Sequence, residues 1–427
     1  MTPSKSIAVA AACAAAGAMA NPIDQVRPDA PALAPFGPLP VGVQTLSFSH
    51  RDQIDVLNIV DKDEPLYARP LTVEVWYPAT DGTPAGGTYQ TVLRDGQTAV
   101  TLTGRAARDA APASGATYPL VVISHGYPGN RYLMAHFGEN LASKGYVTVS
   151  IDHTDSTYSD QSAFGSTLYH RPIDQRFVVD QMAALEGPLG AIVNAQVVGV
   201  IGYSMGGYGA LVYGGAGVTE AATELSWGTP NGLLSRHLAG SDSHEALTDP
   251  RLRAVIAIGP WGHNAGLWDA NSMAGLRVPT LFIAGSSDDV SVYEAIRTAF
   301  EEATGIERHL LTFENANHNA AAPMPAPRES WIPVETLEFV PFEHYADPVW
   351  DTVRMNNIAQ HFATAFLDRH LKGDAARGPY LNLVPRAVDG VVALDDAGNP
   401  TEDHTYWEGF APRTAKGLRF ESLTTEN

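Results

Sequence analysis

Residues 197–213 read VVGVIGYSMGGYGALVY, and the fold follows from how such a stretch must be built. Val197, Val198, Val200 and Ile201 make a short apolar run that ends in Gly202-Tyr203-Ser204-Met205-Gly206-Gly207. A helix-compatible segment, Tyr208 to Tyr213, follows directly. That is a buried strand, a sharp turn and a helix, with a serine at the apex. A G-x-S-x-G turn needs small residues because the serine backbone is strained and its neighbours pack tightly. The turn lifts the Ser204 hydroxyl clear of the sheet and aims the Met205 amide at the place where an oxyanion would form. The string also recurs by chance, so an idle serine in a glycine-rich turn is the competing reading until the neighbouring chain is taken into account.

Upstream, residues 118–124 (YPLVVIS) are a continuous apolar run, as expected of a strand buried on both faces of a parallel sheet. His125-Gly126-Tyr127-Pro128-Gly129 follows, a glycine-bearing loop able to bring backbone N–H groups to a ligand. A helix is expected over 132–145, a strand over 146–151 and an amphipathic helix over 171–185. Two earlier strands are expected at 43–48 and 71–76. Residues 79–115, rich in Gly, Ala and Thr, read as a long surface connection with a weak strand near 98–102. Downstream, residues 218–249 break the pattern; a polar excursion of this length reads as a cap over the site or as a surface loop away from it. Strands at 253–258, 280–284 and 309–313, a helix over 292–304 and another over 347–371 complete the order, with 309–313 as the last strand. Strands alternating with helices predict an α/β fold with a mostly parallel sheet and a single domain over 41–427, including an irregular extension at 372–427.

At 427 residues with 44% hydrophobic content the chain can bury a large core. A net charge of −20 and the absence of a Lys/Arg-rich stripe argue against nucleic acid and against anionic membranes as partners. After the N-terminus no apolar run is long enough to span a bilayer. Residues 1–20 have the layout of an export signal: Lys5, an alanine-rich apolar core over 7–18, and Ala18-Met19-Ala20 as the cleavage site before Asn21. Cys13, the single cysteine, falls inside that segment, so the mature chain is expected to be exported without thiol or disulfide. Residues 21–40, rich in Pro and Ala, read as an extended arm.

Four loops therefore follow predicted strands: His125-Gly126-Tyr127, Ser204, Asp288-Asp289 and His318. Open parallel sheets place their sites at such strand ends, and serine, acid, histidine is the chain order of the α/β-hydrolase triad. The loops SHGYPGNR (124–131), GYSMGG (202–207), GSSDD (285–289) and NANHNAAAP (315–323), with LTVEVWYPA (71–79) and IDHTDS (151–156), resemble the serine-bearing, dienelactone-hydrolase-like branch of the α/β hydrolases. That branch includes platelet-activating-factor acetylhydrolase-like esterases. GYSMGG, Gly126-Tyr127, Pro260-Trp261 and VPTLFIAG (278–285) also resemble bacterial cutinase-like polyester hydrolases. The first resemblance is the fuller one. Dienelactone hydrolases proper carry a cysteine where this chain has Ser204, and the cutinase-like enzymes usually carry a C-terminal disulfide that this chain lacks.

The resemblance implies a serine ester hydrolase needing no cofactor or metal. Ser204 is the expected nucleophile, His318 its base and Asp288 the acid that orients the histidine; Asp289 is the neighbouring alternative, and the family's G-x-x-D spacing favours Asp288. The amides of Tyr127 and Met205 are expected to form the oxyanion hole, with Tyr127 and Trp261 flanking the acyl group. His125 and His153, also at strand ends, are expected to brace loops. Asp152, Asp155 and the Asp288/Asp289 pair lack a regular calcium-ligand spacing and read as structural carboxylates. The expected partner is a small-molecule or polymeric ester; an amidase or peptidase using the same triad, or a catalytically silent binding domain, is the alternative. Oligomeric state is not encoded in any motif.

Overall fold

The computed structural model describes residues 21–425. The expected export signal, its cleavage point and Cys13 lie outside the described residues. Nine long strands form one sheet: β1 (Val41–Ile54), β2 (Leu66–Pro78), β3 (Tyr118–Ser124), β4 (Val147–Asp152), β5 (Val193–Tyr203), β6 (Leu252–Ile258), β7 (Thr280–Gly285), β8 (Arg308–Phe313) and β9 (Leu418–Leu423). Their spatial order is β9-β8-β7-β6-β5-β3-β4-β2-β1, with the short pair Ala107–Arg108 beyond β1. From β4 across to β8 every pairing is parallel; the β1/β2, β2/β4 and β8/β9 pairings are antiparallel. This is the α/β arrangement expected from the alternation of strands and helices.

The register explains why the central strands read as unbroken apolar runs. Ile201 lies opposite Ile123 on one side and Ile256 on the other; Val200 lies opposite Val122 and Val255. The isoleucines point into one core and the valines into the other, because successive strand residues face opposite sides. Helices α1 (Ala135–Ser143) and α5 (Thr352–Leu371) cover the first face, while α2 (Phe164–Ala183), α3 (Met205–Tyr213) and α4 (Tyr293–Glu302) cover the second. Both faces are dry. Fully burying a Val or Ile side chain stabilises by about 1.5–3 kcal/mol, so these strands carry a large share of the fold.

Four expectations need correction. The 79–115 stretch is more than a surface connection: the strand expected near 98–102 is present as Ala99–Gly104, but it pairs with an unforeseen strand, Gly87–Val92, and the arm adds Asn21–Pro22 as a third. That sheet packs on the core through Tyr89 and Leu102. The helix expected as amphipathic over 171–185 starts at Phe164, and His170, Arg171, Asp174 and Gln175 are buried within it. Ile173, Arg176, Phe177, Asp180 and Gln181 form a half-exposed stripe, but the covered side buries polar and charged residues, with Arg171 bonded to the loop after β3 and Gln175 to α3. The 309–313 strand is not the last. Leu418–Leu423 extends the sheet, with Leu418 and Phe420 buried between outward-facing Arg419 and Glu421. The helix expected from 132 begins at Ala135, after a turn.

The arm at 21–40 has little secondary structure but is tied to α5. Asn357 bonds both the Arg27 amide (2.9 Å) and the Gln25 carbonyl (3.0 Å), and His361 Nδ1 accepts from the Leu33 amide. Among the described residues no helix is long and apolar enough to cross a membrane.

Candidate active site

Ser204 stands between the end of β5 and the first turn of α3, at φ 53° and ψ −113°. A positive φ on a non-glycine residue is strained, and tight packing must hold it. The glycines provide that packing. A methyl on Gly206 would meet the Ser124 carbonyl at 2.0 Å, and one on Gly202 would meet the Gly206 carbonyl at 2.2 Å. The Ser204 amide donates to Ile258 O (2.9 Å) and Gln175 donates to Gly206 O (3.0 Å), fixing the turn from below.

The loops after β7 and β8 meet beside it. His318 Nδ1 donates to Asp288 Oδ2 at 2.8 Å, which leaves Nε2 as the acceptor on the ring. Asp288 is buried, and its other oxygen accepts from the amides of Val290 (3.0 Å) and Ser291 (2.8 Å). Asp289, its neighbour, is exposed and makes no bond to His318. Gly259, at φ 49° after β6, backs the pair; a methyl there would press on His318 Cε1 at 3.2 Å and Asp288 Oδ2 at 3.4 Å. Tyr203 tilts against the His318 ring (5.1 Å) and anchors to Asn319 (3.1 Å).

Tyr127 follows β3. Ser204, His318, Tyr127 and Gly126 line one open cleft of about 300 Å³, together with Arg94, Phe339 and His344. Among the described residues neither the Tyr127 amide nor the Met205 amide donates to any protein group, so both are free to receive an acceptor. Free amides at a helix start and in a glycine loop are suited to developing negative charge. Trp261 stands beside the serine, its amide donating to Ser204 O (3.3 Å). Its ring packs on Phe164 (5.4 Å) and Trp227 (6.1 Å), and Phe164 in turn meets Tyr127 (5.2 Å). Trp227 is the part of 218–249 that reaches this aromatic cluster; the rest lies on α2 and α3, through His237 to Tyr169 O (2.7 Å) and His244 to Val212 O (3.0 Å).

His125 and His153 serve the loop scaffold. His153 Nδ1 donates to Asp174 (2.9 Å) and its Nε2 accepts from Ser124 Oγ (2.9 Å), a buried relay beneath the β3 end. Burial holds the His153 pKa down at about 3, so its ring is neutral. His125 donates to Gly126 O at 2.7 Å, and burial beside the Arg171 guanidinium keeps it well below the usual histidine range. Arg171 donates to the carbonyl of His125, to Gly126 O (3.4 Å) and to Ser156 Oγ. It thereby aligns two consecutive peptide units, the second of which carries the Tyr127 amide. Its burial lowers its pKa to about 9. Arg171 and Arg94 were not found from sequence. Arg171 sat in a helix read as amphipathic, and Arg94 in a stretch read as a surface connection.

Comparison with known proteins adds to this geometry. The family model described as PET hydrolase-like matches residues 106–229, which span the β3 loop and the Ser204 turn but not Asp288 or His318. Cutinase 2 of Thermobifida cellulosilytica is 26% identical over 211 residues, 49% of this chain and 63% of that protein. Cutinase cut1 of Thermobifida fusca is equally similar over 52% of its length. The chain thus spans 45% to 63% of the length of the curated relatives it matches. A ferulic acid esterase from Streptomyces cinnamoneus superposes with a TM-score of 0.55 at 21% identity, covering 83% of this chain and 94% of that one. By topology, strand-end loops and structural likeness, this chain has the α/β-hydrolase fold.

Proposed function

We propose that the protein is a serine carboxylic-ester hydrolase working through an acyl-enzyme intermediate. The observation that carries this reading is the cleft that brings together a strained serine and a histidine held by a buried carboxylate at 2.8 Å, with the unengaged amides of Tyr127 in its lining and of Met205 next to the serine. Ser204 Oγ attacks the ester carbonyl carbon while His318 Nε2 takes its proton. The Tyr127 and Met205 amides receive the oxyanion, each such donor typically worth about 3 kcal/mol in the transition state. Collapse of the tetrahedral species breaks the bond to the leaving alkoxide, to which His318 returns the proton. Water then repeats the sequence on the acyl-enzyme, with His318 again as base. Asp288 fixes the histidine tautomer and offsets the imidazolium charge.

The similarity to cutinases, to the PET hydrolase-like model and to a ferulic acid esterase supports esters of small or medium size, aromatic and polyester-derived ones included. The Ala18-Met19-Ala20 sequence supports export. The test is turnover of p-nitrophenyl esters beside matched p-nitroanilides. The reading predicts ester cleavage that vanishes in Ser204→Ala while the thermal melt is retained. Anilide cleavage at equal or greater efficiency would make the protein an amidase, and a wild type inert on both would make it a binding domain.

A further inference from the structure

Arg94 is the feature of the cleft that this chemistry leaves unused. It sits at the tip of the Gly87–Val92/Ala99–Gly104 hairpin and lines the cleft with Ser204 and His318. The tip is a built structure. Asp95 accepts from the amides of Gln97 (3.1 Å) and Thr98 (3.0 Å) and from the Thr98 hydroxyl (2.5 Å), so the adjacent carboxylate is spent on its own turn. Gly96, at φ 71°, lies so close to the Tyr158 carbonyl that a methyl there would meet it at 2.3 Å. The hairpin is thereby seated against the loop after β4.

Arg94 itself is half-buried, and among the described residues no carboxylate lies within ion-pair reach of its guanidinium. Its one ring contact is Phe339, at 5.8 Å. Most of the chain's other arginines near the sheet ends are paired: Arg69 with Asp174, Arg131 with Asp152, Arg108 with Glu74. The two carboxylates on the cleft rim, Asp289 and Glu343, are exposed and leave the guanidinium unbonded. His344 beside it is kept neutral, its pKa pushed down to about 3 by burial with Arg94 and His318 nearby. A partly desolvated cation without a counter-ion is unfavourable for folding, and in a chain of net charge −20 it offers an anionic group a partner inside the cleft. Guanidinium is also the group that best matches a carboxylate, through two parallel N–H···O bonds.

We infer that Arg94 is a specificity residue that binds a free carboxylate on the substrate, so that the preferred substrates are half-esters of dicarboxylic acids rather than neutral esters. The rings of Tyr127, Phe339 and Tyr203 around the same cleft suit an aromatic spacer between the carboxylate and the scissile ester. Such half-esters arise from a first hydrolysis of a diester or from chain-end cleavage of a polyester. The reaction that supplies this substrate is therefore itself an ester hydrolysis. The inference rests on the ester-hydrolase reading above.

The experiment compares kcat/KM for the monoethyl ester of a benzenedicarboxylic acid with that of its neutral analogue, in which the free carboxylate is a carboxamide. Wild type, Arg94→Gln and Arg94→Lys are measured, each with a thermal melt. Losing a charge-assisted contact predicts that Arg94→Gln falls by about 10- to 100-fold on the half-ester, with Arg94→Lys recovering part of it. On the carboxamide all three should agree within about twofold, since no ionic contact is lost there. Equal losses on both substrates, or a wild type without preference for the anion, would overturn the inference while leaving ester hydrolysis intact. A wild type that cleaves neither compound nor any neutral aryl ester would instead bring down the ester reading, and this inference with it.

Discussion

At the scale of single residues, the site depends on which oxygen His318 meets. Asp288 is buried, takes two backbone amides on one oxygen and presents the other to the ring at 2.8 Å; Asp289 points into solvent. Asp288→Asn keeps the shape but turns an acceptor into a possible donor, so the imidazole loses both its preferred tautomer and its counter-charge. The expected outcome is a fall in kcat of about 10³- to 10⁴-fold, as acid-to-amide changes in such triads give, whereas Asp289→Asn stays near wild type. Steady-state kinetics on one aryl ester checks both, and equal effects would remove the distinction. The sequence left these two aspartates side by side with only a family spacing to choose between them. What separates them is the turn after β7, where the Val290 and Ser291 amides fold back on Asp288, a tertiary detail that no local pattern carries.

On the proposed mechanism, elements set the geometry of the oxyanion donors. The loop after β3 has no regular structure, yet it is held by α2 from beneath through Arg171 and by the Ser124–His153–Asp174 relay. Removing the guanidinium frees the His125 carbonyl and leaves the Gly126 carbonyl to His125 alone, so on the proposed mechanism the Tyr127 amide loses its aim. A misplacement of about 1 Å in such a donor costs on the order of 100-fold, so Arg171→Gln should lower kcat by roughly that factor with a smaller change in KM. Steady-state kinetics with a melt alongside reads this; an unchanged kcat in a folded variant would show that the loop needs no brace. The parallel strands and their loops were legible because residues buried on both faces leave unbroken apolar runs, each ending in glycine or polar residues. The 87–104 hairpin was not, because its alternation is of Thr, Gln and Gly against a few apolar residues, and its third strand comes from Asn21–Pro22, far upstream. The polar interior of α2 was misread for a related reason. Arg171 and Asp174 look like solvent positions until their partners on other elements are known.

Over the whole molecule, the buried histidines make stability a function of pH. Burial depresses His136, His153, His170, His344 and His361 to about 3 and His237 to about 4. Unfolded, each binds a proton near its ordinary value of about 6.5, so below that pH the unfolded state holds more protons than the folded one. The stability these groups contribute is complete above about 6.5 and drains away as pH falls toward 3 to 4. Asp174, whose carboxylate is held far below its usual range by Arg69 and His153, adds a loss in the same direction on strong acidification. The melting temperature should therefore drop continuously from neutral pH downward; a flat profile to pH 4 would mean that these rings gain water or partners in solution. The claim on which the account turns is that Ser204 is an activated nucleophile. It is tested most directly by the intact mass of the protein after exposure to diethyl p-nitrophenyl phosphate, followed by peptide mapping. The account predicts one diethylphosphoryl group per chain, on Ser204, in step with loss of esterase activity, and no adduct in Ser204→Ala. An adduct at another residue, or the same adduct formed on Ser204→Ala, would contradict it.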